Sequence, residues 1–159
     1  YGIPYVDCDI ETAQMLWLRQ DWMDELGLKA PETLDELREI LKTFKEHAGS
    51  GGVGLAVSND IYGNNFDIKG WCNAYGAYPK YWIDDGSGKL VYGSTTPEMK
   101  EALGSLAELF QEGLIDPEFY VNDNDKTKEA LVNGKCGAMY GYHAGSLWPL
   151  QDVVLISCL

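Results

Sequence analysis

The sequence predicts an α/β domain whose helices outweigh its strands, and three observations carry that expectation. Residues 33–48 have the pattern of a capped amphipathic helix. Residues 97–113 repeat that pattern behind a proline. The β-prone runs are short and separated by helical sequence, which favours crossover connections over a meander. The 159 residues suit one domain with a sizeable core, and 45% hydrophobic with 23% charged residues excludes a disordered chain.

The elements follow in order. Residues 1–7, YGIPYVD, are turn-rich. In QMLWLRQDW (14–22) the apolar front suits a buried strand, and DWMDELGL suits a short helix ended by Gly27. Pro31 marks a break. Thr33 and Glu36 then form a capping box, each side chain meeting an unpaired backbone N–H. Leu34, Leu37, Leu41, Phe44 and Ala48 share one helical face, widened by Ile40. The helix ends in AGSGG, and a turn leads into the strand-like VGLAVS (53–58). Residues 59–79 are loop-rich, with a short helix expected from Trp71 to Tyr75. YWIDDGSGKLVYG (81–93) reads as a hairpin around DDGSG. Pro97 opens the next helix, whose expected inward stripe is Met99, Leu103, Leu106 and Phe110, with Gly113 as its stop. DKTKEALVNGK (125–135) is a smaller helix ended by Gly134. GAMYGY (137–142) is a strand, AGSLWPLQ (144–151) starts another helix, and the end of the chain is a bare apolar tail.

Charge and motifs exclude several function classes. A net charge of −13 repels nucleic acids and anionic membranes, so no nucleic-acid partner is expected. No apolar run approaches the roughly 20 residues of a membrane helix. Cys8, Cys72, Cys136 and Cys158 are scattered, and His47 and His143 stand alone, so no metal or cofactor is expected. Ser146 in AGSLW lacks the second glycine of a nucleophile elbow, and no carboxylate pair is set apart for glycoside chemistry. No catalytic residue is assigned, and the protein is expected not to be an enzyme.

Binding is better supported. Sugars offer C–H faces to aromatic rings and hydroxyls to polar groups. In 71–82, Trp71, Tyr75, Tyr78, Tyr81 and Trp82 cluster with Asn73. In VNGKCGAMYGYHAGSLW (132–148), Tyr140 and Tyr142 share a strand face, Trp148 follows Gly145, and glycines let a ligand approach the backbone. This segment is expected to be a strand edge and helix start facing a ligand cleft. The candidate ligand-binding residues are Trp71, Asn73, Tyr75, Tyr140, Tyr142 and Trp148. For Trp71, Tyr140 and Trp148 a place in the core competes with a place on the cleft. Trp17 and Trp22 read as core, and Tyr81 and Trp82 also fit as plain hairpin residues.

The runs LWLRQDWMDELGLKAPETLDELREILKTFKE (16–46), WCNAYGAYPKYW (71–82), KLVYGSTTPEMKEALGSLAELFQEGLIDPEF (89–119) and ALVNGKCGAMYG (130–141) occur in an order and spacing that resembles the family 1 extracellular solute-binding proteins of bacterial ABC importers, particularly lipoprotein-type members. The resemblance implies one lobe of a type II periplasmic-binding-protein-like fold, a small sheet flanked by helices. It implies that 1–151 is second-lobe material, with 1–7 resembling the hinge crossing, and it fades over the apolar tail 152–159. The implied partners are a small-molecule solute, by its aromatic richness a sugar or oligosaccharide, and ABC permease subunits reached through the full-length protein. The implied location is extracytoplasmic, as a cell-surface lipoprotein or in the periplasm, with signal and anchor outside this chain. A lobe alone is expected to bind solute weakly and to self-associate. Many relatives carry an acidic calcium-type loop where this chain has HAGSGGVG (47–54); without carboxylates there, calcium is not carried over. A carbohydrate-binding or glycosidase-associated module and a non-ligand interaction domain are the competing classes; helices 33–48 and 97–113 oppose an all-β module.

Overall fold

The computed structural model describes residues 13–142. The hinge-like stretch 1–7, the helix expected after Ala144 with Trp148, and the tail 152–159 lie outside the described residues.

Strands β1 (Gln14–Leu18), β2 (Leu55–Ala56) and β5 (Ala138–Tyr142) form one sheet in the order β1-β5-β2. β5 runs antiparallel to β1, with Gln14 opposite Tyr142, and parallel to β2. The segment expected as a strand edge is therefore the central strand. Its first four residues are buried, as befits a strand covered on both faces. β1, expected to be buried, is instead a half-buried edge strand. β3 (Trp82–Asp84) and β4 (Leu90–Tyr92) make the expected hairpin as a separate two-stranded sheet.

Five helices accompany the strands among the described residues: α1 (Gln20–Glu25), α2 (Leu34–Ala48), α3 (Lys69–Ala74), α4 (Pro97–Gln111) and α5 (Asn124–Val132). Strand alternation divides the core. Ala138 and Tyr140 join Trp22, Phe44, Trp71 and Leu109 in the main cluster, fed by α1 to α4. Met139 faces the other way, with Ala56, Phe66 and Leu131 of α5. The result is a three-layer arrangement with β5 at its middle.

Local chemistry explains the helix ends. Thr33 Oγ1 accepts from the N–H of Glu36 at 3.2 Å, but the Glu36 carboxylate accepts from Glu32 N–H at 2.7 Å, one residue before the expected partner. The cap contributes about 1 kcal/mol. Gly49, at φ 70°, stops the helix. Leu37, Ile40, Leu41 and Phe44 are buried as the periodicity requires.

In α4 the expected stripe is corrected. Met99 and Leu106 are buried, but Leu103 and Phe110 are 46% and 42% exposed, and Ala102 and Leu109 take their inward places. Both choices satisfy the helical period, as i+3 or i+4 neighbours of the same anchors. The helix turns its small Ala102 to the core and leaves the bulkier Leu103 outside. Leu103 and Phe110 then form, with Val57, Ile61 and Phe119, a wholly apolar groove of about 270 Å³.

Candidate functional site

β5 carries the candidate site on its C-terminal half. β2 pairs only with Ala138 and Met139. Beyond that point the loop 57–68 takes over: Phe66 N–H donates to Tyr140 O at 2.8 Å, Asn65 bridges Gly141, and Tyr142 N–H donates to Asn64 O at 3.1 Å. Ser58 N–H closes the loop onto Phe66 O at 2.8 Å, and Asn59 N–H donates to Asn122 O at 2.7 Å. Asn122 is fixed in turn by Asp116, whose Oδ2 accepts from its amide at 3.0 Å. Phe66 is held at φ 56°, a left-handed conformation that a bulky residue adopts only under constraint. The buried ring and these bonds supply that constraint. The loop is thus pinned at both ends, and Asn64 lies beside Tyr142, itself paired with Gln14, at the carboxyl end of β5.

Charge at the base of this loop is unusual. Asp67 is completely buried. One oxygen accepts from Lys69 N–H at 3.0 Å, opening α3, and the other lies 3.3 Å from Lys69 Nζ. Burial pushes its carboxyl up to about 6, and Asp60 adds to the rise while Lys69 opposes it. At the tip, Lys80 Nζ stands 5.0 Å from the centre of the Tyr62 ring, a cation–π contact. The Tyr62 phenol is raised by burial first, then by the nearby Cys72 and Tyr92.

The predicted site residues separate into three groups. Trp71 and Tyr140, 1% and 6% exposed, are core residues, which corrects the cleft assignment for both. A Cβ on Gly70 would collide with the Tyr140 ring, so the first turn of α3 presses on that ring. Asn73 and Tyr75 sit at the end of α3. With the Asn73 amide turned so that nitrogen donates, it meets the carbonyls of Lys69 at 3.2 Å and Ala77 at 3.1 Å, closing the helix end. Tyr75 is half-buried in a polar groove of about 370 Å³ between α3 and α4, with Arg38, Glu101 and Glu108. Tyr142, half-buried, stands at the sheet end. Trp148 lies outside the described residues.

The glycines also divide by role. A Cβ on Gly137 would lie 2.6 Å from Trp22 Cε3 and equally close to Phe44, so this glycine lets α1 and α2 approach the strand. Gly134, at φ 66°, ends α5. Sequence reasoning missed Tyr62 and Asn64. Their signal was available: IYGNN (61–65) joins an aromatic, a glycine and two amides, the composition valued in 71–82.

Among the described residues no group of three or more His, Cys, Asp or Glu side chains gathers around a common point that could hold a metal ion. In the 47–54 loop, Lys135 Nζ donates to Ser50 O at 2.8 Å.

A family model described as bacterial extracellular solute-binding protein matches residues 2–150. The chain is 36% identical over 148 residues to Lipoprotein LipO of Bacillus subtilis (strain 168), covering 87% of this chain and 28% of that protein. It is 32% identical over 135 residues to the polygalacturonan/rhamnogalacturonan-binding protein YtcQ of the same organism, covering 82% and 26%. Among solved structures it is similar to the ABC-transporter substrate-binding protein FusA of S. pneumoniae in complex with kestose, with a TM-score of 0.69 and 26% identity over 82% of this chain and 28% of that one. The alginate-binding protein AlgQ2 without calcium ion has a TM-score of 0.68 at 22% identity, covering 81% and 27%, a likeness of fold alone. The chain spans less than a third of each of these relatives. The fold is that of one lobe of a type II periplasmic-binding-protein-like protein.

Proposed function

Because the chain belongs to the bacterial extracellular solute-binding protein family, we propose that it is the second lobe of the substrate-binding component of an ABC importer, and that it captures a sugar or oligosaccharide at the carboxyl end of β5. The observation that carries this reading is the pinned loop. Tyr142 N–H to Asn64 O and Phe66 N–H to Tyr140 O fix an aromatic and amide-bearing tip beside a half-buried tyrosine. Open α/β sheets place their ligands outside the carboxyl ends of strands. Rings for C–H faces and amides for hydroxyls are what a polyol requires there. The apolar groove by α4 has the rings of Phe110 and Phe119 but no polar group for hydroxyls, and we assign it to packing against the remainder of the fold.

The names of the relatives support the substrate class, since YtcQ and FusA are named for polygalacturonan/rhamnogalacturonan and fructooligosaccharide. The family is one of binding proteins, and no catalytic step is assigned to this chain. The location that goes with this function is extracytoplasmic, as a surface lipoprotein or in the periplasm, with permease subunits as partners of the full-length protein.

A thermal-shift screen of the full-length protein against oligosaccharides tests the reading. A bound sugar at one hundred times its Kd stabilises by about 2.7 kcal/mol, a readily measured rise in Tm. A screen in which peptides or amino acids stabilise the protein and no saccharide does would overturn the substrate class. The isolated 159-residue chain, by contrast, keeps only one wall of a two-lobe cleft and exposes its apolar groove. It should self-associate in sedimentation and show no calorimetric sugar binding; submicromolar binding by it alone would contradict the two-lobe account.

A further inference from the structure

The hairpin β3–β4 presents an aromatic face that the proposed cleft does not use. Trp82 and Tyr92 are directly opposed across the strands, with ring centres 5.4 Å apart and planes tilted by 47°. Trp82 is 66% exposed, and Tyr81 beside it is 62% exposed. Ile83 and Val91 alternate to the other face and are half-buried. The base of the hairpin is locked, not loose. Gly93 N–H donates to Tyr81 O at 2.8 Å, and a Cβ at Gly93 would strike the Tyr78 carbonyl. Lys80, at φ 70°, is fixed by its N–H to Ser94 Oγ at 2.8 Å.

The hairpin is linked to the loop tip of the sheet-end site through Lys80 and Tyr62. Lys80, two residues before Trp82, caps the Tyr62 ring at 5.0 Å. Tyr92 lies close enough to Tyr62 to help raise its phenol. A series of links therefore joins the two places: Tyr142 to Asn64 by a backbone bond, Tyr62 two residues before Asn64, and Tyr62 to Lys80 at the foot of the hairpin that carries Trp82 and Tyr92. An exposed tryptophan–tyrosine pair on so acidic a surface calls for an occupant with apolar faces and hydroxyl edges. Asp84 alternates to the same face as Trp82, and with its Oδ1 accepting from the turn N–H groups of Gly86 and Gly88 it keeps Oδ2 as an acceptor for hydroxyls.

We propose that the outward face of the β3–β4 hairpin, built on Trp82 and Tyr92, is an outer subsite on which an oligosaccharide leaving the cleft past Tyr62 and Lys80 stacks its distal units. The inference rests on the sugar-binding reading of the sheet end and specifies its substrate as a chain of several units. On this proposal only the distal units of a longer chain touch the hairpin.

The test uses the full-length protein and two calorimetric length series, galacturonan and fructan oligosaccharides from disaccharide to hexasaccharide. Trp82→Ala removes an exposed ring, so the fold survives, and an unchanged Tm confirms it. The expected result is a loss of at least about tenfold for the hexasaccharide of the series that binds, as for an aromatic anchor, with disaccharide affinity changed less than twofold. Trp82→Phe should recover most of the loss. Equal loss at every length, or no loss in a protein whose wild type binds the hexasaccharide, overturns the subsite while leaving the cleft reading intact. If the wild type binds neither series and no other saccharide, the sugar-binding reading fails and the subsite falls with it. Unchanged binding with impaired sugar uptake by cells marks the hairpin as a permease contact and also overturns it.

Discussion

The two ends of β5 are made of the same residue types and sit in different surroundings. Tyr140 and Tyr142 are two positions apart and share one face of one strand, yet Tyr140 is enclosed and Tyr142 stands half-buried at the sheet end. What separates them is what lies above each. Over Tyr140 the first turn of α3 presses Gly70 against the ring. Past that turn Tyr142 pairs with Gln14 of β1 on one side and bonds through its N–H to Asn64 of the 59–66 loop on the other, and its side chain stays half-buried. A period-two pattern assigns a face; it does not tell where along the strand the covering layer stops.

This contrast can be broken most severely in the covered half. Trp71 is among the largest fully buried side chains and joins Tyr140 in the main core. Trp71→Ala should cost about 3–5 kcal/mol in urea unfolding. A loss under about 1 kcal/mol, with sugar affinity reduced, would return Trp71 to the cleft.

Next in size is the pH dependence set by Asp67. Burial raises its folded-state pKa from 3.8 to about 6, so the folded chain keeps the proton to higher pH than the unfolded chain. Its contribution is fully present below about pH 3.8 and is lost as pH rises through about 6, a change of roughly 3 kcal/mol. Asp67→Asn should flatten the stability profile between those limits and make the protein relatively more stable near pH 7. A profile unchanged by the substitution would mean that the carboxylate is solvated or better paired than its geometry indicates.

Gly137→Ala is expected to cost about 1–3 kcal/mol, since its methyl overlaps Trp22 and Phe44 and both rings are buried. A neutral outcome would free that glycine for the ligand-related role its spacing first pointed to. The smallest effect is expected from calcium. The 47–54 loop has no carboxylate, and Lys135 already occupies Ser50 O. Chelator should shift the Tm of the full-length protein by less than about 1 °C through this loop, whereas an ion bound there would stabilise by mass action.

Much of the fold was legible because local rules were obeyed. The Thr33 cap, the α2 stripe, the DDGSG turn and the glycine stops at Gly27, Gly113 and Gly134 all stand where residue chemistry puts them. The failures are tertiary. The α4 stripe was misplaced because alanine gives a weak hydrophobic signal, so Ala102 was passed over for Leu103. β5 was taken for an edge because nothing local shows that β1 pairs with a strand more than a hundred residues away. In the candidate site, alternation puts Tyr142 on the face it shares with Tyr140, while the core place of Trp71 is not legible because a core tryptophan and a stacking tryptophan look alike in sequence. The place of Asn64 beside Tyr142 depends on a long-range bond to β5, which no local pattern signals.

The central claim is that the covered and open halves of β5 separate stability from binding, and matched substitutions in the full-length protein test it most directly. Tyr140→Ala and Tyr142→Ala should be compared by urea unfolding and by calorimetry with an oligosaccharide that the wild type binds. Tyr140→Ala should lose about 3–5 kcal/mol of stability. Tyr142→Ala should stay within about 1 kcal/mol of wild type and lose at least about tenfold in affinity. A Tyr142 variant that unfolds like the Tyr140 variant, or that binds sugar as well as wild type, would contradict the division.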